Sequence, residues 1–195
     1  MRQRSEKVLL LSLCLLLTGS AMAVQEPPYR VLLSEPPYEQ RFYPEFVVAE
    51  TYVAGDFDVA GRTGFRRIAD YIFGNNVSKN GESEKIAMTA PVTVEPQKDG
   101  WRVHFVMPSD KNLGNLPLPK GSEVQLRSIA EHEVAVIRFS GWTTQAAVEE
   151  QTKKLTAWMT TKGLKMGGAA QVARYNDPFT LPWRRRNEIM IPIAR

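Results

Sequence analysis

The chain predicts an α+β fold: a distorted antiparallel β-barrel with two outer helices, built from two strand–helix–strand–strand repeats. Three observations lead there. Val48-Ala-Glu-Thr-Tyr-Val-Ala-Gly55 matches Ala135-Val-Ile-Arg-Phe-Ser-Gly141 as a β-rich run ending in glycine, at an offset of about 86 residues. Each run is followed by a segment of helical period, and each helical segment by two runs of strand character. Two copies of so long a unit are too few for a solenoid. A curled antiparallel sheet with both helices packed outside it buries both apolar stripes.

The first 23 residues are set apart from that domain. Arg2, Arg4 and Lys7 precede the apolar run Val8-Leu-Leu-Leu-Ser-Leu-Cys-Leu-Leu-Leu17, and Ala21-Met-Ala23 is an A-x-A site. This tripartite pattern predicts a signal peptide over 1–23, with mature protein starting near Val24. The apolar run is too short to span a bilayer, so no stable membrane insertion is expected after cleavage. Removing Arg2, Arg4, Lys7 and Glu6 takes 25 Lys+Arg and 21 Asp+Glu to 22 and 20, a net charge of +2. The high pI of the whole chain therefore gives no reason to expect a nucleic-acid partner. Cys14, the one cysteine, leaves with the same segment. Disulfides, thiolate ligands and the C-x-x-C-H heme linkage are excluded for the mature chain. Residues 24–35 read as a Pro-containing, loosely held lead-in, and 36–195 as one domain, a length sufficient for a well-buried core.

Within the domain, Tyr38-Glu-Gln-Arg-Phe-Tyr43 and Phe46-Val-Val-Ala-Glu-Thr-Tyr-Val53 read as strands. Gly55-Asp-Phe-Asp58 turns into a helix, with Asp58 the expected N-cap. Phe65, Ile68, Ala69, Ile72 and Phe73 make its apolar stripe. Gly61 and Gly64 weaken its first turns, so each serves close packing or room beside a ligand. Lys85-Ile-Ala-Met-Thr-Ala-Pro-Val92 reads as a short strand with Ile86, Met88 and Ala90 on one face and Pro91 at its end. Gln97-Lys-Asp-Gly100 is a turn, and Trp101-Arg-Val-His-Phe-Val-Met107 pairs back as a hairpin. After a long loop over 108–121, runs 123–129 and 133–139 predict a second hairpin around Ala130-Glu-His132. Thr143 or Thr144 caps the second helix; its stripe is Val148, Leu155, Trp158 and Met159, and Gly163 ends it. Runs 169–175 and 187–193 are the last strands. In the repeat, Met88-Thr-Ala-Pro-Val92 aligns with Tyr175-Asn-Asp-Pro-Phe179.

Chemistry-bearing residues are few. His104 and His132 lie on different elements, and no nucleophile elbow, zincin, P-loop or dinucleotide fingerprint is present. No catalytic residue and no metal ligand is assigned, and an enzyme is not expected. His104 faces away from Trp101, Val103, Phe105 and Met107 and reads as a solvent-facing or satisfied sheet residue. His132 reads as a solvated hairpin tip. Glu188 reads as a structural partner for Arg185 or Arg186 within a basic loop.

Two long motifs carry a family resemblance. Gly74-Asn-Asn with Lys85-Ile-Ala-Met-Thr-Ala-Pro-Val92 is the first; Arg174-Tyr-Asn-Asp-Pro-Phe-Thr-Leu-Pro-Trp183 with Arg185-Arg-Asn-Glu-Ile189 is the second. In that order they resemble the signature of the SOUL/heme-binding protein family over roughly residues 36–194. The resemblance implies a gyrase-inhibitor-like effector-binding fold, and a protein that takes heme or another tetrapyrrole non-covalently in a shallow apolar cleft. It implies a carrier or buffer, here periplasmic or secreted; alternatives are a module for another amphipathic small molecule, or a hydrolase on the same fold. A porphyrin needs an apolar wall and basic groups at the rim. On that implication the cofactor-binding candidates are Val59 and Phe65 for the wall, Arg62 and Arg66 for the propionates, and Met88 as lining or axial thioether. Ordinary core positions for Phe65 and Met88, and a solvated face for the arginines, are the competing readings.

Overall fold

The computed structural model describes residues 24–194. Residues 1–23, where a signal peptide is expected, lie outside the described residues. Eleven strands and two helices follow in the order β1 Arg30–Glu35, β2 Tyr38–Tyr43, β3 Phe46–Val53, α1 Phe57–Ile72, β4 Asn76–Val77, β5 Val92–Gln97, β6 Gly100–Val106, β7 Leu118–Pro119, β8 Gln125–Ile129, β9 His132–Phe139, α2 Gln145–Thr161, β10 Gln171–Arg174 and β11 Asn187–Pro192. Nine strands form one antiparallel sheet, ordered β1-β2-β9-β11-β10-β5-β6-β3-β8, and β4 pairs with β7. No helix among the described residues is long and apolar enough to cross a membrane.

The two repeats are visible in this order. Units β3–α1–β5–β6 and β9–α2–β10–β11 meet where β5 pairs with β10. Gly55 and Gly141 end β3 and β9 at φ 99° and 102°, a left-handed conformation that glycine adopts without strain. Thr144 caps α2, its hydroxyl accepting from the Ala147 N–H at 3.2 Å. α1 starts earlier than expected: Asp56 is its N-cap, without a side-chain bond, and Asp58 lies in the first turn, where its charge suits the helix dipole.

Both helices pack on one face of the sheet. Ile68 and Ile72 of α1 meet Ala49, Val103 and Phe105, while Leu155 and Met159 of α2 meet Ala135, Ile137 and Ile189. Gly64 permits the first contact, since a Cβ there would stand 2.5 Å from Val103. The opposite face is polar. Register pairs Glu50 with His104, His104 with Thr93 and Glu95 with Arg102, so these side chains share it.

Five expectations are corrected. The sheet is open, not a closed barrel, because β1 and β8 each have one neighbour. Its polar face carries Arg41, Glu50, Glu95, Arg102, Arg127 and Glu188, whereas a small closed barrel needs an interior that side chains can fill without desolvating charge. β8 and β9 form no hairpin: β8 pairs with β3, and β9 lies between β2 and β11. Alternation tells a strand which face to bury, not which edge to join. Residues 85–91 form no strand of the sheet, Thr89 making only an isolated bridge to Gln25, with a cis Ala90–Pro91 bond before β5. Their backbone bonds go elsewhere, from Ile86 N–H to the Ile72 carbonyl and from Ala90 N–H to the Gln25 carbonyl. Finally, Met88–Val92 and Tyr175–Phe179 are not equivalent in the repeat. The first leads into β5 and the second leaves β10. The lead-in is also tied down, since β1 pairs with β2 and Arg186 holds both oxygens of Glu26 at 2.9 Å.

Candidate functional site: a cleft beside the first helix

Val92 of β5 pairs with Arg174 of β10. The chain entering β5 and the chain leaving β10 therefore emerge side by side at one end of the sheet. With α1 they enclose a cleft of about 430 Å³, lined by Gly61, Arg62 and Phe65, by 88–90 and Val92, and by 174–178 with Val24 at the mouth. Both sequence motifs thus contribute to one site. The wall segment over 88–90 is fixed by the Thr89 hydroxyl donating to the Val106 carbonyl. The 174–180 side is fixed by Asp177, which accepts from the Phe179 and Thr180 N–H groups, and by Arg185, which donates to the Thr180 and Pro178 carbonyls. Arg185 also stacks over Trp142, 4.2 Å from the ring centre.

Arg174 is the distinctive group. Its guanidinium lies 4.9 Å over Phe57. Its Nη1 is 3.2 Å from where a Gly61 Cβ would sit, so glycine leaves it that space under the helix. Its buried Nε has no hydrogen-bond partner among the described residues. Burial pulls its pKa below the ordinary arginine value, Asp58 opposes that, and Arg185 adds to it. A half-buried cation with a buried, unsatisfied donor is costly unless something pairs with it. It was not among the expected site residues; it opens the second motif, but its burial follows from β10–β5 pairing, which is not local.

Of the expected site residues, Arg62, Phe65 and Met88 line the cleft. Phe65 is 40% exposed and packs against Phe105 at 5.5 Å between ring centres. Val59 and Arg66 do not line it. Val59 points to solvent, and Arg66 lines a separate hollow with Arg67, Asp70 and Tyr71. Sharing a helix face at i and i+4 is thus not enough to put Arg62 and Arg66 in one site.

A second buried group lies beyond the cleft on the polar face. Glu188 is fully buried and accepts from Arg41 at 2.8 and 3.1 Å, from the Tyr175 hydroxyl at 2.6 Å and from Arg186 at 3.0 Å. Burial alone would raise its pKa, but Arg41, then Tyr175 and Arg186, hold it below the ordinary value. The partner of Glu188 in the basic loop is therefore Arg186, not Arg185. The histidines are corrected too. His104 is neither solvent-facing nor satisfied: it is 5% exposed, and its Nδ1 has no partner among the described residues. His132 is half-buried, stacked on Tyr43 with Nδ1 2.8 Å from the Ala130 carbonyl oxygen. Neither lines the cleft.

Comparison with known proteins adds to this geometry. Residues 24–192 match the SOUL heme-binding protein family along nearly the whole described chain. The chain belongs to the SOUL family. This SOUL chain is 31% identical to human heme-binding protein 2 over 186 residues, covering 89% of this chain and 88% of the human protein. Among solved structures it is similar to a hydrolase from Listeria innocua, at TM-score 0.56 and 16% identity over 84% of this chain and 94% of that one. It is also similar to the EcmrR C-terminal domain, at TM-score 0.58 and 14% identity over 86% of this chain and 98% of that one. At such identities these two likenesses concern the fold alone.

Proposed function

We propose that this SOUL protein binds heme or a related tetrapyrrole non-covalently in the cleft beside α1, as a carrier or buffer outside the cytoplasm. The observation that carries the reading is Arg174, a half-buried arginine with a buried, unpaired Nε in the lining of an apolar-walled cleft. A porphyrin is a flat apolar plate with carboxylates on one edge. Phe65, Met88 and Val92 offer the apolar surface; Arg174, with exposed Arg62 at the rim, offers partners for the carboxylates. The name of the human relative supports the same ligand class. When bound, the group would bring its own iron chemistry. The residues here bind and orient it, with Met88 the one thioether lining the cleft.

The reading is tested by titrating hemin and its dimethyl ester into wild-type protein and the Arg174→Met variant, following the Soret band. A charge-assisted contact is worth roughly 1.5–3 kcal/mol, so hemin affinity should fall about ten- to a hundredfold. The ester, with no carboxylate to lose, should weaken far less. Equal loss for both ligands, or none for hemin, would remove Arg174 from the site.

Export belongs to the same proposal and rests on the tripartite N-terminus. Mass spectrometry of protein from its native host should find mature chains beginning at Val24. Cytosolic protein with Met1 intact would contradict export.

A further inference from the structure

We infer that the polar face of the sheet holds a second small-molecule site, for an uncharged amphipathic ring compound, centred on His104. The site is a chamber of about 410 Å³ at the junction of the two repeats, within the range of sites for drug-sized molecules. It is separate from the heme cleft. The cleft lies on the helix side, and the sheet with the 89–91 segment stands between them: Ala90 lines the cleft, Pro91 the chamber.

Its walls divide by chemistry. Phe46, Pro91, Ile129, Val134 and Met190 make an apolar side. Thr93, Arg102, His104 and Arg127 make the polar side. The two arginines there are already paired, Arg102 with Glu95 at 2.5 Å and Arg127 with Glu50 at 2.7 Å. A charged ligand would have to break one of those pairs in a partly dry space. His104 is different. It is 95% buried, lines the chamber, and its Nδ1 has no partner among the described residues. Buried polar atoms in folded proteins are almost always satisfied, so an unpaired imidazole in the wall of a cavity calls for a ligand group or water. Burial, then Arg102, Arg127 and His132, keep the ring neutral. A neutral imidazole beside self-paired ions, opposite an apolar wall, selects a neutral molecule with one hydrogen-bonding group.

The probe is 1-aminoanthracene, an uncharged fluorescent three-ring amine, titrated into the mature protein. Saturable fluorescence enhancement is expected. His104→Leu should weaken it tenfold or more, while Arg174→Met leaves it unchanged. The anionic dye 1-anilino-8-naphthalenesulfonate should bind at least tenfold more weakly. Absence of saturable binding overturns the site. So does binding that survives His104→Leu but fails with Arg174→Met, which would put the dye in the heme cleft. Equal affinity for the two dyes overturns its preference for uncharged molecules. Nitrogen-15 NMR of the His104 ring gives a readout that does not depend on a variant folding. The ring signal should shift on adding 1-aminoanthracene, and a signal that stays in place at saturation contradicts the proposal.

Discussion

Glu188→Ala should destabilise the protein by about 3–5 kcal/mol, because it strands a buried charge rather than removing a packed methylene. Arg41 is 2% exposed, and its guanidinium faces Glu188 through two hydrogen bonds. Without the carboxylate that cation keeps Glu39, at 2.6 Å, and the ring of Tyr29, 4.3 Å away. Arg186 would lose one of its two carboxylate partners and keep Glu26. Chemical denaturation of both proteins at pH 7 measures the loss. The double variant Arg41→Met, Glu188→Leu should recover much of it, since it removes both charges together. A single-variant loss under 1 kcal/mol would mean that Arg41 finds another partner or water.

Acid should expose His104 next. Its pKa is lowered to about 3, by burial first and then by Arg102, Arg127 and His132. The unfolded chain, with a histidine pKa near 6.5, binds the proton more readily between those values. Stability is therefore full above about pH 6.5 and falls as pH drops towards 3, by roughly 2 kcal/mol at pH 5 from this group alone. Glu188, whose pKa is held below its ordinary value, loses stability only at lower pH, as its carboxylate is protonated. The windows separate the two groups. His104→Leu should flatten the stability profile between pH 6.5 and 5 and leave the steeper loss below pH 4.5. A variant that tracks wild type across the upper window would show that His104 is not held neutral.

Much of the architecture was readable from the chain because it is local. Helical stripes, the Thr144 cap and the paired glycines at 55 and 141 each depend on a few neighbouring residues, and the repeat places them twice. Strand partners depend on the whole chain. β8 and β9 are adjacent in sequence, yet β8 joins β3 and β2 joins β9, so each half of the sheet takes an edge strand from beside the other. Alternating residues in those runs fit either arrangement equally well. The site divides the same way. Phe65, Met88 and Arg62 could be placed near a cleft from helix spacing and motif. Arg174 could not, because its Nε becomes buried and unpaired only when β10 pairs with β5 under α1. His104 was placed on the correct face by alternation. Its burial arises from distant elements meeting at the junction of the repeats, which no short window contains.

The most direct test of the central claim is paramagnetic broadening of backbone amide signals by bound hemin. Ferric iron erases nearby resonances, so the affected amides map the site without a variant. The account predicts loss centred on Gly61, Arg62, Phe65, Met88 and 174–177, with His132 and Val134, at the far end of β9, retained. Broadening centred on His132 and Val134, or none at saturating hemin, would contradict it.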